Sequence, residues 1–384
     1  MKRNFRIVLL LAAFFLSTPM VWPQQPAKKP VRIGIAGLSH SHVHGFLNNT
    51  PKDDFVLVGI AESDHDMAGR YSERYGFDLA IVYDDLGEML DKTKPDGVLA
   101  FNSIFGHLEV VEACAPRGVH VMVEKPLAVN GEHARRMAEL SREHKTLVLT
   151  NFETTWYPSN HRAFAMAVSE GSLGPLRKII VCDGHKGPKE IRVNDEFLEW
   201  LTDPVLNGGG AVVDFGCYGA NLATWLMRNE RPQSVSAVLQ RFKPDVYPKV
   251  DDEATIVLTY PGTQVIIQAS WNWPINRKDI EIYGVTGYVK APDAVNLAWR
   301  LSEREREQSA QLTPEGSLTF APFNYFASAI RGEITIVPGD LSSLENNLIT
   351  VEILDAARES ARTGKSVAIE SIPHVAAWPD MRDW

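Results

Sequence analysis

The chain of 384 residues is long enough for two or three domains, and its 45% apolar and 23% charged residues are typical of globular domains. It has 48 acidic and 39 basic residues, and this net charge of −9 argues against nucleic acid as the main partner, because phosphate binding needs a basic face. Three scattered cysteines exclude a disulfide scaffold and a cysteine-based zinc site.

Residues 1–30 are predicted to be a targeting segment followed by a linker. Lys2, Arg3 and Arg6 precede an unbroken apolar run at 7–16, which is the pattern of a secretory signal peptide and is short for a spanning helix. No small-residue cleavage site stands out after the run, so an uncleaved N-terminal membrane anchor is the alternative. We therefore expect an exported, periplasmic protein.

Residues 31–150 alternate apolar strands with helices. The strands are predicted at 31–40, 55–63, 96–102, 119–126 and 146–151, with helices at 64–75, 107–117 and 132–144. Apolar strands that alternate with helices indicate a parallel sheet covered on both faces. The prediction is an α/β, Rossmann-type doubly wound domain that binds a dinucleotide.

Residues 151–384 are predicted to form a second, α+β domain. A helix near 158–169 and a long irregular stretch lead to a glycine triplet at 208–210, after which short alternating runs are separated by turns. This pattern is typical of an open, mainly antiparallel sheet with one covered face. The charge run at 302–311 is predicted to be a solvated loop or helix face, and an amphipathic helix at 344–363 closes the domain.

Three motifs carry a family resemblance: GIAGLS at the first turn, VHVMVEKPLA at the end of a parallel strand, and GGGAVVDFGCYGANLATWL in the second domain. Together with ARESARTGKSV near the C-terminus, they resemble the glucose–fructose oxidoreductase, inositol dehydrogenase and related reductase family (Gfo/Idh/MocA) over residues 31–370. The resemblance implies an active site between the two domains. It also implies a homo-oligomer that pairs through the open sheet.

The predicted cofactor site starts at the first turn, with Gly37, Leu38, Ser39 and His40. Two of the three glycines of the G-x-G-x-x-G fingerprint are absent, but the amides at the helix start still face an anion. Glu62 ends the second strand, where an acid binds the adenosine ribose and repels a 2′-phosphate, so NAD is favoured over NADP. The alternative is an exposed strand-end carboxylate.

The resemblance adds side chains on the nicotinamide side of this site, which are Asn102, His107, Glu124 and Lys125. For His107 the alternative is a surface histidine. The sequence HSHVH, with His40, His42 and His44, also invites a metal hypothesis. Because this stretch leaves a strand and begins a helix, we expect polar side chains at a turn near phosphate, and no metal is predicted.

Oxidation of a secondary alcohol needs a hydride acceptor, a base for the hydroxyl proton and positive charge near the developing alkoxide. Lys125 is expected at the carboxyl end of a parallel strand, where open α/β sheets bind ligands. Asp214 and Tyr218 are four residues apart and are expected to share one helical face. Tyr218 needs a nearby cation to act as a base, and Lys125 is predicted to supply it while Asp214 orients Lys125 or substrate. The alternative for Tyr218 is a packed aromatic.

The resemblance places Trp156, Asn160 and His185 in stretches that line the substrate pocket, and aromatic rings beside polar groups suit a carbohydrate. The predicted function is an NAD(P)-dependent oxidoreductase that moves hydride between a nicotinamide and a secondary alcohol or ketone of a sugar-like substrate. The alternatives are an NAD-dependent glycosidase that oxidises C3 transiently, and a non-catalytic sugar- or nucleotide-binding protein. No free nicotinamide pool exists outside the cytoplasm, so an exported enzyme is expected to hold NAD tightly.

Overall fold

The computed structural model describes residues 29–49, 54–313 and 321–369. The predicted signal peptide or anchor therefore lies outside the described residues. None of the helices within these ranges combines the length and the apolar character needed to span a bilayer.

A six-stranded parallel sheet forms the first half of the fold. Its strands are β1 (Val31–Ala36), β2 (Phe55–Ala61), β3 (Val82–Tyr83), β4 (Gly97–Ala100), β5 (His120–Glu124) and β6 (Val148–Asn151). They lie in the order β3-β2-β1-β4-β5-β6, and every pair is parallel. The order reverses between β1 and β4, which is the point where doubly wound sheets bind ligands. The predicted fold class is confirmed for this half.

Five helices connect these strands: α1 (Val43–Asn49), α2 (His65–Tyr75), α3 (Leu86–Thr93), α4 (His107–Cys114) and α5 (Gly131–His144). The helix α2 begins after Asp64, whose side chain accepts from the Met67 amide, and it ends at Gly76 in the left-handed conformation. Apolar side chains of the sheet are buried in two separate clusters, one under α1 and α2 and the other under α4 and α5. Both faces of the sheet are therefore covered.

The second half contains four helices, α6 (Pro158–Phe164), α7 (Asp195–Leu201), α8 (Ala211–Asp214) and α9 (Gly216–Leu226). Its strands are β7 (Leu176–Gly184), β8 (Ser234–Gln240), β9 (Glu253–Thr259), β10 (Gln264–Ser270), β11 (Arg277–Gly284), β12 (Tyr288–Ala291), β13 (Asn296–Arg300), β14 (Gln308–Gln311) and β15 (Val367–Ala368). They form one sheet in the order β14-β13-β12-β11-β7-β10-β9-β8-β15, antiparallel except where β10 pairs with β7. The open, mainly antiparallel sheet is confirmed.

The charge run at 302–311 is an exposed loop over 302–307, as predicted, but its last four residues form the strand β14, which was not predicted. The strand lies at the sheet edge and pairs only with β13, so its polar side chains stay exposed. The pairing of subunits through the open face of this sheet stays a prediction.

Two helices near the C-terminus return to the first sheet: α10 (Pro322–Ile330) and α11 (Leu344–Thr363). Phe326 of α10 is buried in the apolar cluster under α1 and α2, and it packs where Gly97 has no side chain. The helix α11 has the predicted bounds and ends at Gly364; it contributes apolar side chains to the cores of both halves. The core of the first half therefore includes chain from beyond residue 150.

Candidate active site

A cavity of about 460 Å³ lies between the two halves, at the carboxyl end of β5. We call it the lysine cavity. Its polar lining comes from both halves and consists of His40, Ser41, His42, Lys125, Glu153, Tyr157, His185, Asp214, Tyr218, Asn276, Arg277, Lys278 and Asp293. All three predicted catalytic side chains therefore face one cavity.

Lys125 and Asp214 form a buried ion pair in this cavity. The Lys125 ammonium donates to the Asp214 carbonyl oxygen at 3.0 Å and to its carboxylate, while Trp271 Nε1 donates to the second carboxylate oxygen at 2.9 Å. Burial alone would lower the pKa of Lys125, but the Asp214 carboxylate outweighs this effect and raises it. Burial would raise the pKa of Asp214, and Lys125 holds it below its usual range. Both groups are charged near neutral pH.

The glycine triplet positions Asp214. The Asp251 carboxylate accepts hydrogen bonds from the backbone amides of Gly210 and Val212 at 2.9 and 2.7 Å, which fixes the start of α8. A Cβ atom on Gly210 would lie 1.8 Å from the Asp251 carbonyl oxygen, so only glycine fits there. Asp214 is the last residue of this short helix.

Tyr218 lies in the next helix, so the expectation that it shares one helical face with Asp214 is wrong. Phe215 separates α8 from α9, and both side chains reach the lysine cavity from different helices. The Tyr218 ring packs edge-on against Phe152 at 5.4 Å, and its hydroxyl makes no hydrogen bond with any described residue. The Lys125 ammonium lies 5.2 Å from the ring centroid.

The protonation state of Tyr218 also differs from the prediction. Only 1% of its surface is exposed. Burial, assisted by the charge of Glu153, raises the pKa of Tyr218 well above its usual value near 10. Tyr218 is therefore a neutral phenol near pH 7, a proton donor rather than a resting base.

Every lysine and arginine that lines the lysine cavity has an acidic partner. Lys125 pairs with Asp214, Lys278 with Glu153, and Arg277 forms two hydrogen bonds of 2.8 Å with Asp279. His185 also lines this cavity, as predicted for a substrate residue, and burial lowers its pKa. The cavity is polar without a free fixed cation among its lysines and arginines.

A second cavity, of about 540 Å³, lies beside the first turn. We call it the acidic cavity. Gly37, Ser39, Glu62 and Asn102 line it, together with six further carboxylates, which are Asp64, Asp84, Asp85, Glu109, Glu196 and Glu199. No lysine, arginine or histidine is among its described lining residues. Gly37, Ser39 and Glu62 are therefore brought together here as predicted, whereas Asn102, predicted on the nicotinamide side, also lies here and His40 lines the lysine cavity.

Glu62 also stabilises the first turn, a role that was not predicted. Its two carboxylate oxygens accept from the backbone amides of Leu38 at 2.8 Å and Asp64 at 2.9 Å. Gly37 has φ 77°, and a Cβ there would lie 2.8 Å from Asn102, so this glycine is required. The Glu62 carboxylate is therefore not a free strand-end group, and binding a ribose is not its only role.

The first turn retains groups that fit a dinucleotide. The backbone amides of Ser39 and Ser41 make no hydrogen bond within the described chain, whereas those of Leu38, His40 and His42 do. Asn102 Oδ1 is buried without a partner there, which leaves an acceptor open to a hydroxyl or amide donor. Free amides for a pyrophosphate and acceptors for ribose are what a nicotinamide dinucleotide needs.

The nicotinamide-side predictions have mixed outcomes. Glu124 is buried, and its oxygens accept from Asn151 Nδ2 and face His42 Nδ1, both at 2.8 Å. His107 is completely buried and lies outside the cavity linings described above, so the surface-histidine alternative is wrong. Its Nδ1 lies 3.1 Å from the Leu127 carbonyl oxygen, and burial lowers its pKa to about 4. It reaches the site only through the chain around Lys125.

The histidines of HSHVH separate into two environments. His40, His42 and Glu124 have potential ligand atoms within 4.8 Å of one another, while His44 lies 2.7 Å from the Tyr75 hydroxyl. His40 Nδ1 accepts from the His42 amide at 3.1 Å, so its neutral ring carries the proton on Nε2. The three groups satisfy one another by hydrogen bonds, and the prediction of no metal stays a prediction.

Two predicted substrate residues lie elsewhere. Asn160 is buried and donates to the Thr154 carbonyl oxygen at 3.0 Å, so it belongs to the core and does not line the lysine cavity, as the resemblance had implied. Trp156 donates to Asn151 and lines a third cavity of about 340 Å³, which shares Ser41, His42 and Glu153 with the lysine cavity.

Helix α7 separates the lysine cavity from the acidic cavity. Phe197 and Trp200 pack on the His40 ring with centroid distances of 4.6 and 5.5 Å. Just before the helix, Asn194 hydrogen-bonds to Ser41 and donates to the Ser39 carbonyl oxygen. The second half of the fold is thereby held against the first turn.

Comparison with known proteins agrees with this geometry. Residues 31–152 match the family model described as an oxidoreductase family with an NAD-binding Rossmann fold, and residues 161–290 match the GFO/IDH/MocA C-terminal domain. The chain belongs to the Gfo/Idh/MocA oxidoreductase family. Trans-1,2-dihydrobenzene-1,2-diol dehydrogenase of Macaca fuscata fuscata is 23% identical over 263 residues, which cover 68% of this chain and 73% of that protein.

Solved structures of this family share the fold. An inositol dehydrogenase homolog from Azotobacter vinelandii, complexed with NAD+, has a TM-score of 0.77 and 18% identity, and covers 91% of this chain and 100% of its own. The aldose-aldose oxidoreductase from Caulobacter crescentus, complexed with glycerol, has a TM-score of 0.76 and 20% identity, with 89% and 100% covered. At these identities the likeness establishes the architecture alone.

Several cavity residues of this family member were missed by the sequence predictions. Glu153 and Asp293 lie outside the strands, and Arg277 and Lys278 lie on β11, whose register no sequence pattern fixes. Lys278 begins a strand with alternating apolar residues, so its position on the covered face was the one signal available.

Proposed function

We propose that this protein interconverts a secondary alcohol and a ketone on a neutral, sugar-like compound, with NAD as the hydride carrier. The observation that supports this most directly is the Tyr218 hydroxyl, which faces a cavity with no protein partner beside the buried Lys125–Asp214 pair. A hydroxyl and an ammonium that converge on one cavity suit a carbonyl or carbinol oxygen. The helix α9 holds the hydroxyl of Tyr218, and the end of β5 holds the ammonium of Lys125.

A bound nicotinamide supplies the hydride acceptor or donor. The amides of Ser39 and Ser41 would hold its pyrophosphate, and Glu62 with Asn102 would bind on the ribose side. The Lys125 ammonium has three protons, of which two are used by Asp214, so the third is available for the substrate oxygen. Lys125 therefore orients that oxygen and stabilises negative charge on it.

Tyr218 holds the proton of the reaction at its phenol oxygen. Because the phenol is neutral, it is ready to donate a proton to the oxygen of a ketone as that oxygen gains negative charge. In the opposite direction the phenol must first lose its proton. The protonation state of Tyr218 in the resting protein therefore favours reduction of a ketone over oxidation of an alcohol.

The substrate is proposed to be neutral. Each lysine and arginine of the lysine cavity is already paired with a carboxylate, so an acidic sugar would find no free fixed charge. Burying an unpaired carboxylate is costly, whereas hydroxyl groups fit a lining of paired donors and acceptors.

NAD is proposed over NADP because of the acidic cavity. Glu62 and the other carboxylates of this cavity would repel a 2′-phosphate, and no described cation lines the cavity to bind it. Titration of the purified protein with NAD and NADP tests this proposal. Equal affinity for the two would contradict it.

We also propose export with a cofactor that stays bound. The contact of α7 with the first turn crosses the route between the acidic cavity and the lysine cavity, so a dinucleotide that spans them would be retained. Mass spectrometry of nucleotide released from the denatured mature protein tests retention. If all nucleotide is lost on dialysis and turnover needs added NAD, retention is wrong.

A glycosidase that oxidises its substrate transiently is the second candidate. The third cavity, which shares Ser41, His42 and Glu153 with the lysine cavity, provides room for a substituent on the sugar. Release of an aglycone without net reduction of NAD would support this activity. Net NADH or ketone formation from a free sugar would instead support the dehydrogenase.

A further inference from the structure

A second charged pair, Glu153 with Lys278, lines the lysine cavity and has no role in the chemistry described above. Glu153 precedes α6 on the side of the first sheet, and Lys278 lies on β11 of the second sheet. Their side chains form a salt bridge that joins the two halves of the fold across the cavity.

This pair lies next to the proposed reaction centre. The Lys278 ammonium is 4.7 Å from the centroid of the Tyr218 ring, and the Lys125 ammonium is 5.2 Å from the same centroid. A small molecule lying against Tyr218 therefore reaches both ammonium groups.

The pair is accessible to a ligand, and the second Glu153 carboxylate oxygen accepts a hydrogen bond from the Tyr157 hydroxyl at 2.5 Å. The Glu153 side chain is 49% exposed and the Lys278 side chain 22%, although both line the cavity. Ion pairs with such exposure contribute only about 0–1 kcal/mol to stability. A contribution to stability as small as this does not explain why the two charged side chains meet at this point.

A buried carboxyl lies behind the pair. Asp183 is directly opposite Lys278 in the pairing of β7 with β11, is 1% exposed, and neither of its oxygens has a hydrogen-bond partner among the described residues. Lys278 is the cation with the largest electrostatic effect on it. Lys278 therefore has a second carboxyl nearby when Glu153 engages another group.

We propose that Glu153 and Lys278 form a subsite for a second hydroxyl group of the substrate, in which the ammonium donates a hydrogen bond to the hydroxyl oxygen and the carboxylate accepts a hydrogen bond from the hydroxyl. The substrate class is then a neutral compound with at least one hydroxyl beyond the carbon that reacts. This inference rests on the proposed function and extends it from a reaction to a specificity.

The test compares wild type with Lys278→Met and Glu153→Gln, using glucose, galactose and myo-inositol and their monodeoxy analogues. Calorimetry gives the dissociation constants and steady-state assays give kcat and KM. Lys290→Met is the matched control, because Lys290 lies on β12 of the same sheet and lines none of the three cavities. Thermal unfolding of each variant confirms folding, and the isosteric Glu153→Gln serves if Lys278→Met does not fold.

We expect each cavity variant to weaken binding of a polyol about 10- to 100-fold, the loss of a hydrogen bond to a charged group, with a smaller change in kcat. For the analogue that lacks the contacted hydroxyl, wild type and variants should bind alike. Unchanged constants in both variants, equal losses on all analogues, or no binding of any polyol by wild type would overturn the subsite. Binding without turnover would refute the proposed function and leave the subsite standing.

Discussion

Lys125→Met is expected to remove hydride transfer and also to destabilise the fold. The sequence alone places Lys125 at a strand end, but the structure buries it to 6% exposure against Asp214. The variant leaves the Asp214 carboxylate buried with Trp271 as its remaining side-chain donor. Breaking a buried pair in this way costs about 3–5 kcal/mol, and the Trp271 hydrogen bond places the expected loss near the lower end.

The loss should depend on pH in a defined direction. In wild type the pKa of Asp214 is lowered, so its stabilisation is present above its unfolded-state pKa and is lost as pH falls through the folded-state value. In the variant, burial is no longer opposed by Lys125 and the pKa of Asp214 rises, so its penalty appears as pH increases above about 4. The difference between wild type and variant should therefore be largest near neutral pH.

Urea unfolding at pH 7 and pH 4 measures this difference. The double variant Lys125→Met/Asp214→Asn is the control, because it removes the unpaired charge and should recover most of the stability without recovering turnover. Equal stability of wild type and Lys125→Met at pH 7, or a loss that the double variant does not reduce, would refute the buried-pair argument.

Three further predictions follow from single side chains. Tyr218→Phe should lower kcat about 10²- to 10⁴-fold, as for loss of a general acid, with an unchanged thermal midpoint because the hydroxyl has no protein partner; a large loss of stability would contradict this. Glu62→Gln should weaken NAD binding and reduce the ratio of NAD affinity to NADP affinity in nucleotide titrations. An unchanged ratio would mean that Glu62 does not face the ribose. Burial raises the pKa of Asp183 well above its unfolded-state value, so wild type loses stability as pH rises between the two values. In chemical unfolding, the free energy of unfolding of Asp183→Asn should equal that of wild type below pH about 4 and exceed it near pH 7. The reverse order would refute a neutral Asp183.

Much of the fold was predictable because local patterns report it directly. The helix at 65–75 has an aspartate before it and a glycine after it, and the closing helix at 344–363 ends at Gly364. The site motifs were equally informative, because Lys125 at a strand end and Asp214 after the glycine triplet both line one cavity.

The remainder depends on contacts between residues distant in sequence. Lys278 enters the cavity only through the pairing of β11 with β7, and the buried Asp183 is explained by the same pairing. The pKa of Tyr218 rises because the side chain is buried beside the Glu153 charge, and no spacing in the sequence reveals this environment. His107 is buried by the chain that follows Lys125, so its environment could not be read from its neighbours.

The central claim is that a nicotinamide exchanges hydride with a carbinol carbon beside Lys125 and Tyr218. The most direct measurement incubates the protein and its cofactor with polyols deuterated at the carbinol carbons and analyses the nucleotide by mass spectrometry. We predict that deuterium appears on the nicotinamide with wild type and is strongly reduced with Tyr218→Phe. No deuterium on the nucleotide for any polyol, or equal transfer by wild type and variant, would contradict the claim.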